Sequence, residues 1–324
     1  RGLGDVYKRQ LLVVQTFCFS QFDKVKLLQE KLIHEELTGS NVAMVYKEGK
    51  TIFFNIQNSG KVGDKNISNQ SYKPYKETLF PIWSMSKPIT TVATMILIER
   101  GILKLNDPVS QYIPALEKMN CENENGIRPC AKQIKIIDLL THRSGLGYYG
   151  NKGYGYGYTN TIKYHTLEEF ANDLSDIVLK FEPGSGYFYG INQAVLGRVI
   201  EIASNQTFYE FLKKELFDPL EMSETKFYLS EADRYRFQPL FINTGALKGF
   251  TFELNELSYQ ENSQAYFGGE GLVSTLGDYS NFCKMLLNGG TYNGKKIISQ
   301  NLSLIHISEP TRQEAISYAV FCLK

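Results

Sequence analysis

The sequence predicts a protein that mixes strands with helices, and two observations carry this prediction. Early in the chain, residues 41–47 and 51–56 flank Glu48-Gly49-Lys50, a turn composition that predicts a β-hairpin. Elsewhere, apolar residues recur at helical spacing over 21–37, 86–100, 167–179, 192–204, 207–216 and 277–287. With 43% hydrophobic residues among 324, the chain can bury a sizeable core as one large domain or two closely associated ones.

The two ends of the chain resemble translated sequencing adaptor. The codons GAT GTG TAT AAG AGA CAG would give residues 5–10, and the reverse complement of the first five of them would give residues 303–307. Two natural segments would rarely be complementary in this way. We therefore expect 1–10 and 303–324 to lie outside the natural protein, and they are left out of the fold prediction.

Residues 11–20 resemble the apolar end of a signal peptide cleaved near Ser20, which favours export to the periplasm or out of the cell. A buried strand is the alternative. No stretch is long and apolar enough to span a bilayer, so no transmembrane segment is expected. A formal net charge of +1 gives no basis for nucleic-acid binding.

Cys121 and Cys130 bracket a polar loop. In an exported protein they could close a short disulfide loop, and two free thiols fit the sequence equally well. No spacing of Cys and His predicts a metal site, and nothing in the sequence implies a cofactor.

Ser84 and Lys87 stand three residues apart, directly before an apolar helical segment without glycine. Pro88 fits only in the first turn of that helix, which places Ser84 at or near the N-terminus and Lys87 one turn further on. The helix dipole and a nearby ammonium would both favour a developing alkoxide on Ser84. Alone, Ser-x-x-Lys is a weak signal, since most such matches are a cap and a solvated charge.

Two further segments are candidates for a functional site. His142 could be a general base or a structural hydrogen-bonding residue at a helix end. Residues 147–158 are rich in Gly and Tyr, as binding loops often are. We predict that Tyr148 and Tyr149 contact substrate, although a disordered surface loop fits the composition equally well.

Blocks of sequence in a fixed order resemble the serine β-lactamase-like superfamily. Nearest within it are the class C β-lactamases, the family VIII esterases and the D-amino-acid-active peptidases. The matching blocks are 78–90, 101–109, 138–146, 183–189, 195–201, 217–222 and 269–275. Ordered blocks are far more specific than any single motif, and they cover essentially all of 11–302.

The resemblance implies an α+β, β-lactamase/transpeptidase-like fold. An antiparallel sheet flanked by helices joins an all-helical domain, with the active site between them. Residues 21–80 would form the first part of the sheet domain, 81–260 mainly the helical domain, and 261–302 the return to the sheet. The last strands are expected beyond residue 302, so the sheet is expected to be incomplete.

The resemblance also implies roles for three residues. Ser84 would be the acylated nucleophile, and Lys87 its hydrogen-bonded partner that eases deprotonation. Tyr189 ends a Pro-Gly-x-x-aromatic-x-Tyr pattern that begins at Pro183. It would be the general base, held near the phenolate by Lys87, and would pass the proton to the leaving group. The family favours a structural role for His142.

Two departures from the family pattern matter. β-Lactamases usually have Tyr-x-Asn, whereas here the third position is Ile191 and Asn192 follows it. We predict a substrate contact from Asn192 in this displaced position, which favours esters over acylamido substrates. The third motif (Lys-Thr-Gly, His-x-Gly or Trp-Gly-Gly) is expected beyond residue 302, so the chain as given is expected to be inactive.

For the parent protein, these observations predict a serine hydrolase that acts through an acyl-enzyme. The substrate would be a small-molecule ester, an amide or a peptidoglycan-like compound. A β-lactamase or D-amino-acid peptidase is one alternative. A non-catalytic, penicillin-binding-like scaffold is another.

Overall fold

The computed structural model describes residues 22–38, 40–58, 78–148, 164–234, 236–238, 241–243, 248–250 and 259–302. The predicted adaptor ends, the predicted signal remnant and Tyr149 all lie outside these residues. The chain forms two compact units. The first comprises Arg1–Thr78 with Arg234–Leu254, and the second Leu79–Asp233 with Asn255–Lys324.

The helices and strands follow in chain order. The helices are α1 (22–34), α2 (Ser86–Glu99), α3 (Ile136–Leu140), α4 (Leu167–Asp173), α5 (Asn192–Ser204), α6 (Phe208–Leu212), α7 (Glu231–Arg234) and α8 (Leu276–Leu287). The strands are β1 (Ser40–Lys47), β2 (Lys50–Asn58), β3 (Phe80–Pro81), β4 (Asn120–Asn123), β5 (Gly126–Pro129), β6 (Val178–Leu179), β7 (Phe241–Asn243), β8 (Lys248–Phe250), β9 (Val273–Ser274), β10 (Thr291–Tyr292) and β11 (Lys295–Lys296).

The first unit is built on the predicted hairpin, which the structure confirms. β1 pairs antiparallel with β2 from Ser40 opposite Asn58 to Lys47 opposite Lys50. Gly49 takes a φ of +78° in the turn, a conformation open to glycine at little cost. Helix α1 packs on this hairpin through the stacked rings of Phe22 and Phe53, whose centroids are 4.7 Å apart.

The core of the second unit lies between α2 and α5. Ile89 and Val92 of α2 are fully buried, as are Val195 and Val199 of α5, so each helix turns an apolar face inward. Both helices fall where the apolar spacing predicts them. The helix predicted over 167–179 is wrong at its end, because α4 ends at Asp173, a 3₁₀ turn covers Leu174–Asp176, and Val178–Leu179 form β6, which pairs parallel with β4.

A disulfide joins Cys121 to Cys130 across the hairpin of β4 and β5. Short antiparallel pairs (β3 with β9, and β10 with β11) complete the strands of this unit. Helices with small antiparallel sheets confirm the predicted α+β class. Across the described ranges, no helix combines the length and the apolar character that a membrane span needs.

Candidate active site

Ser84 lies in a single 3₁₀ turn, Trp83–Met85, that connects β3 to α2. The turn is held from outside, because the Ile82 N–H donates to the Leu272 carbonyl at 3.0 Å. Trp83 takes a φ of +43°, a region that costs a bulky residue energy. A strained residue directly before the predicted nucleophile fits a turn shaped to present Ser84 at the start of the helix.

Lys87 occupies the first turn of α2 and is 7% exposed. Its Nζ donates to Ser84 Oγ at 3.1 Å and to the Gly269 carbonyl at 2.7 Å. The first contact follows from the spacing of three residues on one helical turn. The second comes from a segment far along the chain and fixes the ammonium in place.

Tyr189 reaches the same oxygen from the other side. Its hydroxyl lies 2.9 Å from Ser84 Oγ, and Lys87 Nζ is 4.9 Å from the centre of its ring. The structure therefore brings Ser84, Lys87 and Tyr189 together around one hydroxyl. That is the arrangement a serine nucleophile with a basic partner requires.

Residues 268–272 form one wall of the site and are attached to the start of α2. Thr90 Oγ1 donates to the Gly268 carbonyl at 2.7 Å, and the Leu272 N–H donates to Ser86 Oγ at 3.2 Å. Within this wall, Glu270 is 1% exposed. Burial raises the pKa of the Glu270 carboxyl to about 7, against an opposing effect of the Lys87 ammonium. The sequence marks this block only by resemblance and gives its residues no role.

His142 lies behind Tyr189. The two rings stack with centroids 4.7 Å apart. His142 Nδ1 accepts from the Gly190 N–H at 3.3 Å and from Asn192 Nδ2 at 2.9 Å, so that nitrogen carries no proton. Burial, followed by the Lys87 ammonium, lowers the pKa of His142 to about 3. The imidazole is therefore neutral and packs as support for Tyr189.

Asn192 does not face the site, in contrast to the predicted substrate contact. Its side chain is fully buried, and its Oδ1 accepts from Ser144 Oγ at 2.5 Å while its Nδ2 donates to His142. The reason is that α5 begins at Asn192, and the first helical turn directs the amide inward. Ile191, at the third position of the motif, is 2% exposed.

Tyr148 borders the site and is half-buried. Its ring centre is 5.8 Å from Lys87 Nζ and 5.7 Å from the centre of the Tyr189 ring. Its predicted contact with substrate stays a prediction. Near the hairpin of β4 and β5, Cys121, Cys130 and Glu182 lie close enough together to suggest a metal site. The disulfide occupies both sulfur atoms, so this group offers no thiolate ligands.

Comparison with known proteins identifies the family. The sequence model of the Beta-lactamase family matches residues 30–314, and the chain belongs to that family. The chain is 28% identical over 276 residues to Protein Rv1367c of Mycobacterium tuberculosis, covering 81% of this chain and 66% of that protein. It is 29% identical over 217 residues to Esterase EstB of Burkholderia gladioli, covering 64% of this chain and 52% of that protein.

The fold is confirmed by solved structures. The structure of EstCE1, described as a hydrolase with promiscuous acyltransferase activity, matches with a TM-score of 0.67 and 24% identity. The match covers 87% of this chain and 75% of that one. The predicted β-lactamase-like fold is therefore correct. The chain spans between about half and two thirds of the two curated relatives named above.

Proposed function

We propose that the protein carrying this chain is a serine hydrolase that cleaves an ester or amide through an acyl-enzyme on Ser84. The observation that carries the proposal is the position of Ser84 Oγ, within hydrogen-bond reach of both Lys87 Nζ and the Tyr189 hydroxyl. A serine nucleophile is activated by an adjacent general base, and a nearby cation favours the alkoxide, so Tyr189 and Lys87 lie where these two groups are needed.

Acylation would begin once Tyr189 is ionised, with transfer of the Ser84 proton to its phenolate oxygen beside the Lys87 ammonium. Ser84 Oγ would then attack the substrate carbonyl and form a tetrahedral intermediate. Collapse of that intermediate would release the alcohol or amine, which takes the proton from Tyr189. In the second half, a water would lose its proton to Tyr189 and attack the acyl-enzyme, and the proton would return to Ser84.

The developing oxyanion needs N–H donors. In this proposal the Ser84 N–H supplies one, and the strand that carries the third motif in this family supplies the other. Losing one such donor costs about 10²–10³ in rate. For that reason, the proposal concerns the whole protein, and its tests use the whole protein.

Esters are the favoured substrate class within this proposal. Ile191 stands where β-lactamases usually present an asparagine, and the Asn192 amide is held by Ser144 and His142. Among the described residues, position 191 therefore offers no side-chain amide to an acylamido substrate. A related protein is named an esterase, which agrees with this preference. A β-lactamase or D-amino-acid peptidase remains the second candidate, because the Ser84, Lys87 and Tyr189 arrangement suits those reactions as well.

We also propose that the protein is exported. The disulfide between Cys121 and Cys130 supports this location, because disulfides persist in oxidising compartments and are rare in the cytosol.

The test is hydrolysis of a short-chain p-nitrophenyl ester and of a chromogenic cephalosporin by the whole protein. We expect turnover of the ester, little turnover of the cephalosporin, and loss of both in Ser84→Ala. Ser280→Ala is the matched control, since that hydroxyl bonds the Gly277 carbonyl of its own helix. Ester hydrolysis that survives Ser84→Ala would contradict the proposal. No turnover and no covalent labelling at all would favour the scaffold.

A further inference from the structure

Glu270 is the only side chain in a run of glycines. Gly268, Gly269 and Gly271 surround it, and at Gly268 and Gly271 added bulk would meet a neighbour. A Cβ at Gly268 would lie 2.7 Å from the Gln193 carbonyl, and one at Gly271 would lie 2.9 Å from the Phe227 ring. The backbone of this wall is therefore packed closely on the rest of the site, and Glu270 is the one ionisable group that it carries.

The Glu270 carboxyl is buried without hydrogen bonds. Among the described residues, neither of its oxygens has a hydrogen-bond partner, although the residue is 1% exposed. Buried polar groups are nearly always bonded, so an isolated buried carboxyl requires an explanation. Such groups cluster at functional sites.

Lys87 is likewise buried without an ion-pair partner among the described residues. Its ammonium is buried, and its hydrogen bonds go to two neutral oxygens, Ser84 Oγ and the Gly269 carbonyl. No carboxylate of the described residues forms an ion pair with it. Glu270 directly follows Gly269 in the chain, so the residue whose carbonyl bonds Lys87 is the neighbour of a buried carboxyl that lacks a hydrogen-bond partner among the described residues.

We propose that Glu270 is a positioning residue that balances the charge of Lys87 and so keeps Lys87 as an ammonium against Ser84. The inference rests on the proposed function. Charges interact strongly through a poorly solvated wall, so direct contact is not needed. The Glu270 carboxylate would favour the protonated form of Lys87, and the ammonium would in turn favour the ionised form of Glu270.

The other groups around the wall leave this pairing in place. The pKa of His142 is lowered to about 3 by burial and then by Lys87, so it is neutral at the pH values in question. Tyr148 and Tyr189 present their rings to Lys87, and the Tyr189 oxygen, which the proposed mechanism ionises, bonds Ser84 Oγ. Ser86, Thr90 and Gln193 are neutral, and the Lys226 ammonium, whose residue pairs with Val273 through its backbone, is bonded to Asp233 at 2.6 Å. Burial raises the pKa of Glu270 to about 7, so the carboxylate is present above neutral pH.

The test is the pH profile of kcat/KM for ester hydrolysis by the whole protein. In Glu270→Gln we expect the alkaline limb to move to lower pH by about one unit, because the negative charge that favours the ammonium form of Lys87 is gone. Glu270→Asp keeps the charge and should keep the limb near its original position. A purely structural role would lower the height of the profile and leave both limbs in place.

The matched control is Glu201→Gln on α5. Burial raises the pKa of Glu201 too, but its carboxylate bonds Arg198 and the Phe208 N–H. Glu201→Gln should therefore leave the alkaline limb of the pH profile at its original position. If Glu270→Gln does not fold, Glu270→Gly extends the glycine run, removes the same charge and must show the same shift.

The outcomes separate this inference from the proposed function. An active parent that Ser84→Ala inactivates, with an alkaline limb unchanged in the charge-removing variant, overturns the role of Glu270 alone. A parent whose hydrolysis is absent or does not depend on Ser84 overturns the proposed function, and the inference with it.

Discussion

The two sides of Ser84 are built in different ways. On one side, Lys87 belongs to the same turn of chain as Ser84, and the wall at Gly269 holds its ammonium with a single hydrogen bond. On the other side, Tyr189 arrives at the end of a loop, and residues that never touch Ser84 hold it. We call these the helix side and the loop side.

The loop side is held by backbone pairing with a second segment. The Lys180, Gly184 and Phe188 N–H groups donate to the carbonyls of Gly145, Arg143 and His142. His142 then stacks on the Tyr189 ring. The comparison teaches that local helix geometry places Ser84 and Lys87 together, whereas tertiary structure places Tyr189, the proposed base.

We expect the largest effect from removing the Tyr189 hydroxyl, where the loop side meets Ser84. Tyr189→Phe removes the oxygen that lies 2.9 Å from Ser84 and leaves the ring that packs on His142. We expect kcat/KM to fall by about 10²–10⁴, the range typical of a lost proton-transfer group, with the fold retained. Ester hydrolysis and far-UV circular dichroism measure the two quantities.

Tyr187→Phe is the control for that change, because its ring meets His142 edge-on and it is 39% exposed. It should retain most of the activity. Equal losses in both variants would mean that the tyrosine oxygen at 189 has no special role.

The next effect concerns the disulfide next to the loop that carries Tyr189. The disulfide holds the hairpin of β4 and β5, and the Ala131 N–H donates to the Glu182 carboxylate, just before the loop begins. Cys121→Ser should lower the free energy of unfolding by about 2–4 kcal/mol, the usual contribution of such a cross-link. Urea denaturation of the parent and the variant measures it.

Cys283→Ser serves for comparison, since Cys283 is a free cysteine on α8. It should cost less, and dithiothreitol should still lower its stability as it does for the parent, because Cys283→Ser keeps the disulfide. If dithiothreitol leaves the parent as stable as before, the bond does not support the loop.

A smaller loss of rate is expected from the support behind Tyr189. His142→Gln removes the ring that stacks on Tyr189 and should reduce kcat about 10- to 100-fold, because a small misplacement of a reacting group is costly. KM should change little. The exposed His165 gives the matched control, His165→Gln. A large rise in KM with unchanged kcat would instead indicate that His142 contacts substrate.

The smallest effect is a dependence of stability on pH. Because the folded-state pKa of His142 is lowered to about 3, the unfolded chain binds the extra proton first as the pH falls below about 6.5. The contribution of the neutral imidazole is complete above that pH and is lost progressively towards pH 3. The slope is about 1.4 kcal/mol per pH unit at most.

His142→Gln should remove this slope. Urea denaturation of both proteins at pH 7, 6 and 5 should therefore show the difference in stability shrinking as the pH falls. Glu270 acts in the opposite direction, since its folded-state pKa is raised to about 7, and it is present in both proteins. A constant difference across this range would mean that His142 is not buried as a neutral ring.

The comparison also explains what the sequence could predict. The helix side is local: three residues separate Ser84 from Lys87, and the first-turn proline fixes where the helix begins. The carbonyl that completes the Lys87 contacts belongs to Gly269, 182 residues away, and no side chain marks it. Trp83 has a positive φ, which its residue type does not suggest.

The loop side was predictable by resemblance alone, through the register of Tyr189 with Pro183. That register does not say which way the next side chains point. Asn192 was expected at the substrate and is instead buried, because it is the first residue of α5 and bonds Ser144 and His142. The direction of a side chain at the start of a helix depends on tertiary packing, which the spacing of a motif does not encode.

The most direct test of the central claim is covalent labelling of the whole protein with a fluorophosphonate, followed by mass spectrometry of its peptides. We expect a single adduct on the peptide that contains Ser84, absent in Ser84→Ala and formed much more slowly in Tyr189→Phe. An adduct on another residue, or no adduct on a folded protein, would contradict the account.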